Sequence, residues 1–279
     1  MSQKQCQFAT ATYEGMRRTN QDSLYPRDKH GLSRNGVFVV SDGHGQNGDK
    51  YSGRAVEILV SHLEDLLREG KQNVPETIVS ALKDANSEFY AANLLQHGLQ
   101  RKFYSGATVA VAFLQDRLLY YTSVGDSRIY LSDGDAVTPI TRDDSYAQRL
   151  VDVKDLSPEN AKVDYRKNEL TKALGKDESM DVGVIKKELA GIDALLLCTD
   201  GLSGMLTDNE IKSIMQNSRD IHQAREILLE RANKPQEIVQ IYKDYHKVSE
   251  DEARKRLLEE QDNTTFILIK PTRGGINGA

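Results

Sequence analysis

Residues 37–49 read VFVVSDGHGQNGD, a short apolar run that ends at an acid, a glycine and a histidine. The run from Val37 to Val40 contains only β-branched and aromatic residues, which is typical of a buried strand. Asp42 follows where that strand ends, and a rigid strand terminus can aim a carboxylate without ordering a loop. A single strand-ending Asp-Gly is also a common turn signal. The pattern therefore indicates a site only if it recurs elsewhere in the chain.

The pattern does recur. The segments ATVAVAFL (107–114) and LLYYTSVGDSRIYL (118–131) predict a strand hairpin, and Asp126, in the second segment, is predicted to lie where an apolar strand ends or begins. The apolar run DALLLCTDG (193–201) reaches Asp200, and Asp262 precedes the run NTTFILI near the end of the chain. If these acids and Asp42 converge at one sheet edge, they repel each other unless a cation lies between them. Oxygen ligands favour Mg²⁺ or Mn²⁺.

Helical spacing of apolar residues predicts two helices between the first strand and the hairpin, in residues 52–69 and 75–90. Pro75 suits the first turn of the second helix. Residues 143–167 are polar and weakly periodic, which predicts a mobile excursion of helix and loop from the sheet. Residues 219–260 are predicted to be mostly helical and are highly charged.

The totals favour one ordinary globular domain. With 38% hydrophobic and 28% charged residues in 279, the chain is neither disordered nor membrane-embedded. A net charge of −5 argues against general attraction to nucleic acid. The start lacks a secretory signal and no apolar run spans a membrane, so we expect a cytoplasmic protein. Cys6 and Cys198 are too few for a disulfide framework or a cysteine zinc site.

The segment YEGMRRTNQDSLY (13–25) adds a positive charge. A guanidinium beside a metal centre suits phosphate recognition, because its fork donates two parallel hydrogen bonds. A cysteine phosphatase is excluded by spacing. Its nucleophile loop needs a cysteine followed by five residues and arginine, whereas Thr12 and Gly204 stand at that offset from the two cysteines.

Taken in order, the blocks RRTNQD, VVSDGHG, SGATVAV, VGDSRIYL, NELTKALG, CTDGL and QDNTT resemble a metal-dependent serine/threonine protein phosphatase of the PPM (type 2C) family, bacterial type. They run from about residue 10 to about residue 270. The resemblance implies an α+β fold, a four-layer α-β-β-α sandwich of two stacked antiparallel sheets flanked by helices. It also implies phosphorylated protein substrates, with hydrolysis of phosphoserine and phosphothreonine by a metal-activated water.

The resemblance carries metal-binding roles to five positions. Asp42 would bridge two Mn²⁺ or Mg²⁺ ions, the carbonyl of Gly43 would bind one of them, and Asp200 and Asp262 would complete the ligands. Asp126 matches an acid that helps to hold a third, weaker ion in bacterial members.

Two further roles are catalytic. Arg17 matches the phosphate-binding arginine of the family, and His44 matches the proposed general acid. The chain departs from the family at Gln21, where many members have glutamate, and at Gly204, where an acid linked to the third ion is frequent.

The resemblance and the residue pattern together divide the chain. Residues 1–270 would form a single catalytic domain, with a flap at about 145–170 and a charged helical addition at about 235–260, and residues 271–279 would form a flexible tail. Three alternatives remain beside this interpretation. They are a hydrolase of another phosphoryl bond on the same fold, a non-catalytic phosphatase-like scaffold, and a calcineurin-like metallophosphoesterase, whose D-x-H is present in Asp42 and His44 but whose GNH block is missing.

Overall fold

The structure is a computed structural model that describes residues 6–33, 36–70, 73–98, 104–115 and 117–271. Within these residues the strands are β1 (Cys6–Tyr13), β2 (Asp22–Tyr25), β3 (His30–Ser33), β4 (Val37–His44), β5 (Gly106–Ala107), β6 (Val109–Gln115), β7 (Leu118–Val124), β8 (Arg128–Ser132), β9 (Val137–Pro139), β10 (Ile185–Glu188), β11 (Ala194–Cys198) and β12 (Thr264–Pro271). The helices are α1 (Gly48–Glu69), α2 (Val74–His97), α3 (Tyr146–Asp152), α4 (Pro158–Ala161), α5 (Asp200–Ser203), α6 (Asp208–Asn217), α7 (Ile221–Asn233), α8 (Glu237–His246) and α9 (Glu250–Glu259). Among the described helices, none is long and apolar enough to cross a membrane.

The strands form two antiparallel sheets. The first has the order β3-β1-β12-β11-β8-β9, and the second has the order β10-β7-β6-β4-β2, with the short β5 paired to the end of β4. Strands far apart in sequence are therefore neighbours, such as β1 and β12, whose register pairs Cys6 with Pro271.

Strand β4 decides how the layers stack. Val37 and Val39 pack in one apolar cluster with α1 and α2, whereas Phe38 and Val40 pack in another with the facing sheet. All four side chains are fully buried, and full burial of a side chain of this size contributes about 1.5–3 kcal/mol. The uninterrupted apolar run is explained because both faces of the strand lie in the core.

The outer face of the first sheet is covered by α5, α6 and α7, through residues such as Leu196, Leu268 and Leu228. The order of layers is therefore helix, sheet, sheet, helix. The predicted α+β four-layer sandwich is confirmed, and so are the two helices predicted in residues 52–69 and 75–90, which are α1 and α2.

The predicted hairpin is correct for β6 and β7, which pair from Val109 with Val124 to Gln115 with Leu118. The second segment of the predicted hairpin, residues 118–131, contains two strands, β7 and most of β8. The chain turns at Gly125, whose φ is +94°, and β8 belongs to the other sheet. Asp126 therefore lies in the crossing between the sheets, just after β7 ends and just before β8 begins, which agrees with its predicted place at the end or start of an apolar strand.

The charged segment before β12 forms α8 and α9, which bury their own apolar cluster. Residue 271 was predicted to begin a flexible tail, but it is the last residue of β12. The remainder of that predicted tail, 272–279, lies outside the described residues.

Candidate active site

Two carboxylates face each other at the end of β4. In the antiparallel register between β2 and β4, Asp22 is directly opposite Asp42. Side chains of directly opposed residues stand on the same face of a sheet, about 5 Å apart at their Cβ atoms. Like charges in this position destabilise the pair unless something positive or a proton separates them.

The other sheet brings two more carboxylates to the same place. Asp200 begins α5 two residues after β11 ends, and Asp262 lies two residues before β12 begins. Since β11 and β12 are neighbours, the two acids leave the same edge. Burial raises the pKa of Asp42 well above its usual range, and a further rise comes from the negative charges of Asp22, Asp200, Asp262 and Asp126.

Burial and hydrogen bonds act in opposite directions on the pKa of these acids. Burial raises the pKa of Asp200 to about 6, with the charge of Asp262 adding to the effect, while a hydrogen bond with Asp42 works against it. Thr199 donates its hydroxyl to Oδ2 of Asp22 at 2.9 Å. One oxygen each of Asp22 and Asp200 is nonetheless buried without a hydrogen-bond partner.

These unpartnered oxygens test whether a cation fits. Buried carboxylate oxygens that lack a donor and repel each other are suitable ligands for a hard divalent cation. Among the described residues, no three acidic, histidine or cysteine side chains already stand in the geometry of a metal site. Mg²⁺ and Mn²⁺ tolerate few protein ligands because they keep several waters. The set of donors fits such ions.

Gly43 lies between Asp42 and His44, where the end of β4 approaches the start of α1. Its amide donates to the carbonyl of Gln21 at 3.0 Å, and a Cβ built on Gly43 would lie 1.9 Å from the carbonyl oxygen of Gly48. A side chain cannot be accommodated there. The glycine is required by this close approach of two backbone segments.

Arg17 lies at the open side of the cluster and is paired with Asp262. Its Nε donates to Oδ1 at 3.0 Å and its Nη2 donates to Oδ2 at 2.7 Å, in a two-pronged contact. The side chain of Arg17 is 52% exposed. Its guanidinium is thus at the predicted site, held by one of the predicted metal ligands.

His44 ends β4 and packs edge-on against Tyr104, with 5.0 Å between ring centroids. Both of its ring nitrogens are buried and without a hydrogen-bond partner. Burial lowers the pKa of His44 to about 4, and the positive charge of Lys176 adds to this. The imidazole is therefore neutral near pH 7.

Asp126 is buried beside the cluster, and burial together with the charges of Asp200 and Asp143 raises its pKa. Gly204 donates its amide to the carbonyl of Asp200, and a Cβ there would lie 2.7 Å from that oxygen. An acid at this position would require the turn after α5 to shift.

A cavity of about 330 Å³ opens beside these acids. Its lining includes Asp126, Asp200, Asp262, Lys162, Lys167 and Asn168. The last three belong to the segment 145–170, which therefore borders the acid cluster.

Asp22 is a member of the cluster that was not predicted from the sequence. Its signal was present, because an acid follows Asn20 and Gln21 immediately before the alternating residues SLY. Strand β2 has only four residues, which is too short for a recognisable apolar run. Gln21 directs its side-chain amide to the carbonyl of Gly45, at 3.3 Å.

Comparison with known proteins relates this arrangement to one family. Residues 16–260 match the family model described as "Protein phosphatase 2C". The chain is 27% identical over 205 residues to the serine/threonine phosphatase stp of Listeria innocua, covering 71% of this chain and 78% of that protein. It is 29% identical over 233 residues to protein phosphatase PhpP of Streptococcus pneumoniae, covering 81% and 91%.

A similar fold occurs in a crystal structure of the catalytic domain of the serine/threonine protein phosphatase PstP in complex with two manganese ions. The TM-score is 0.70 at 22% identity, with 95% of this chain and 98% of that chain covered. The likeness extends over both sheets and the helices that flank them.

Proposed function

The chain belongs to the protein phosphatase 2C family, and from this premise we propose that it hydrolyses phosphoserine and phosphothreonine in proteins through a divalent metal centre. One observation carries the proposal. Four carboxylates, Asp22, Asp42, Asp200 and Asp262, converge from four strand ends. Burial and the neighbouring negative charges raise the pKa of Asp42 and of Asp22, and Asp262 pairs with Arg17 at the exposed side.

We propose that Asp42, Gly43, Asp200 and Asp262 hold two Mn²⁺ or Mg²⁺ ions, with Asp22 supporting Asp42 from the neighbouring strand. The unpartnered oxygens of Asp22 and Asp200 support this assignment. When bound, such ions activate water as a nucleophile and offset the negative charge of the phosphate.

Arg17 is proposed to bind the non-reacting phosphate oxygens. Its fork now spans the two oxygens of Asp262, and a phosphate offers the same pair of acceptors to a guanidinium. Because the Arg17 side chain is half exposed, exchanging the carboxylate of Asp262 for a phosphate as its acceptor costs little free energy.

His44 is proposed to supply a proton to the leaving oxygen of serine or threonine. General acid catalysis of this kind contributes about 10²–10⁴ in rate. The burial that lowers the pKa of His44 to about 4 leaves it neutral when alone. We propose that the negative charge of a substrate phosphate beside His44 favours the imidazolium form that donates this proton.

A third, weaker ion is proposed beside Asp126, which is buried and within electrostatic reach of Asp200. Gly204 offers no carboxylate to it.

We further propose that residues 1–270 form one catalytic domain, with the segment 145–170 as its flap and α8–α9 as an addition. A cytoplasmic location is also proposed, because two cysteines are too few for the disulfide framework of a secreted protein.

The test is hydrolysis of p-nitrophenyl phosphate and of a phosphothreonine peptide, with Mn²⁺ and after chelation, by the wild-type chain and by Asp200→Ala. Mn²⁺-dependent release of phosphate from both substrates, lost in the variant, is expected. A chain with no metal-dependent rate is a scaffold. A chain that spares the phosphopeptide but cleaves a nucleotidylated protein acts on another phosphoryl bond.

A further inference from the structure

The hairpin of helices α8 and α9 is an excursion of the chain between α7 and β12, and its two ends are tied together. Gln261 donates from Nε2 to the carbonyl of Ala232 at 3.3 Å and to Oδ1 of Asn233 at 2.8 Å. Lys247 adopts a left-handed conformation between the helices, and Ser249 caps α9 by accepting from the amide of Glu252. The hairpin is therefore an ordered unit.

One residue of the flap segment, 145–170, completes the core of this hairpin. The buried cluster consists of Val163, Ile238, Val239, Tyr242, Ala253 and Leu257. Among the described residues of this cluster, Val163 alone comes from outside the hairpin, and it is 2% exposed. The flap segment is thus anchored by an apolar side chain in the core of α8 and α9.

Two polar contacts reinforce the anchor. The hydroxyl of Tyr245 donates to Oδ2 of Asp164 at 2.6 Å, and Nε2 of His246 lies 2.7 Å from the carbonyl oxygen of Val163. The side chain of Asp164 is completely buried. Its other donors are the backbone amide and the guanidinium of Arg166.

The anchored residues lie next to the cavity of the active site. On one side of Val163, the ammonium of Lys162 donates to the carbonyl of Ser203 at 2.8 Å and contacts Asp208 at 3.0 Å. A few residues further on, Lys167 and Asn168 line the cavity. Lys167 also pairs with Glu260, at the end of α9, at 3.7 Å.

The hairpin itself is fixed to the same neighbourhood. Thr207, which caps α6, donates its hydroxyl to Glu237 at the start of α8 at 2.6 Å. The flap segment and the hairpin are therefore both attached to the connection between α5 and α6. The start of α8 and the residues that border the acid cluster therefore share one attachment point.

We propose that the α8–α9 hairpin is a brace that holds residues 162–168 beside the acid cluster, and that Tyr245 is a positioning residue for recognition of phosphoprotein substrates. The proposal rests on the proposed function for its substrate, but the contact itself can be measured without activity. In this proposal a small aryl phosphate would reach the acids without touching the flap segment, whereas a phosphopeptide would extend across residues such as Lys167 and Asn168 that line the cavity. Loosening the brace should therefore affect the second substrate selectively.

The first test is hydrogen–deuterium exchange of the full chain, comparing wild type with Tyr245→Phe. Loss of a hydrogen bond to a charged group corresponds to about tenfold faster opening, so amides of residues 163–168 should exchange about tenfold faster. Tyr90→Phe, which removes a hydroxyl from α2, should exchange like wild type. Unchanged exchange at 163–168, or an equal increase throughout the core, would overturn the proposal.

The second test is steady-state kinetics with Mn²⁺. In Tyr245→Phe the KM for a phosphothreonine peptide should rise about three- to tenfold, while kcat for the peptide and kcat/KM for p-nitrophenyl phosphate stay within about twofold. Equal losses on both substrates would contradict a positioning role. The double variant Tyr245→Phe, Asp164→Asn should have the same KM for the peptide as Asp164→Asn alone. If the two increases in KM multiply instead, Tyr245 does not act through its hydrogen bond to Asp164, and the proposal is overturned.

The two proposals fail separately. A wild-type chain with no metal-dependent activity on either substrate defeats the proposed function, while the exchange data still decide whether the brace exists. Active enzyme with unchanged exchange in Tyr245→Phe defeats the brace alone.

Discussion

Replacing Asp200 by asparagine should make the metal-free protein more stable while removing its response to Mn²⁺. Asp200 is one of four acids in the cluster, and one of its oxygens is buried without a partner. Asparagine keeps the shape of the side chain, carries no charge and can donate its amide to Asp42. The substitution therefore removes a repulsive charge without opening a cavity.

The size of the effect follows from the pKa of Asp200, which burial and the charge of Asp262 raise to about 6. A group whose pKa is raised on folding contributes stability that is present below its unfolded pKa and is lost as the pH rises through the folded value. Near pH 7.5 the ionised carboxylate thus costs up to about 3 kcal/mol, and near pH 5 about half of that. For a chain of this size, about 3 kcal/mol corresponds to about 6 °C in Tm.

The assay is thermal unfolding in EDTA at the two pH values, with and without excess Mn²⁺. Asp200→Asn should exceed wild type in Tm without metal, more so at the higher pH, and should lose this advantage when Mn²⁺ stabilises wild type. Asp133→Asn is the matched control, because exposed Asp133 accepts backbone hydrogen bonds that lower its pKa, and it should not gain stability. A variant no more stable than wild type near pH 7.5 without metal would refute the reasoning.

Three further outcomes are expected. Arg17→Lys should change the free energy of unfolding by less than about 1 kcal/mol, because the pair of Arg17 with Asp262 is exposed. The same variant should raise the KM for p-nitrophenyl phosphate, because lysine cannot donate two parallel hydrogen bonds. An unchanged KM would contradict the role of Arg17 in phosphate binding. Gly201→Ala should lower the free energy of unfolding in urea by about 2 kcal/mol or more, because its Cβ would lie 2.0 Å from the carbonyl oxygen of Asn263. Gly183→Ala is the control, since a Cβ there meets nothing within 4 Å. Equal free energies of unfolding for the two variants would show that the backbone at Gly201 relaxes freely. Hydrogen bonds from Arg166 hold the pKa of Asp164 below its usual range, so the stability that ionised Asp164 contributes is present above about pH 4 and is lost on acidification. The free energy of unfolding of Asp164→Asn in urea should therefore be lower than that of wild type near neutral pH, and the difference should shrink as the pH falls. A difference that does not change with pH would contradict this.

The sequence was most informative where a residue's neighbours in the chain determine its role. The run Val37–Val40 predicted a buried strand because both faces of β4 lie in the core. The positions of Asp42, Asp200 and Asp262 at strand ends predicted their convergence, since strand termini at one sheet edge share a small volume. The family blocks supplied the order of layers, which apolar periodicity alone could not provide.

What could not be predicted depends on pairing across long stretches of chain. Asp22 joins the cluster only because β2 lies antiparallel to β4 in one particular register. Arg17 and Asp262 are 245 residues apart, so their contact depends on the pairing of β1 with β12. The change of sheet at Gly125 was hidden because apolar residues continue on both sides of it. The contact between Tyr245 and Asp164 joins two charged segments that the pattern assigned only to solvent-facing helix and loop.

We propose above all that carboxylates from separate strand ends form a centre for two divalent ions. Isothermal titration calorimetry of the metal-free chain with Mn²⁺, which measures the number of ions bound per chain, tests this most directly. Asp42→Asn is the comparison. We predict saturable binding of about two ions per chain in wild type and loss of that binding in the variant. Absence of saturable binding by wild type, or an identical titration for Asp42→Asn, would contradict the account.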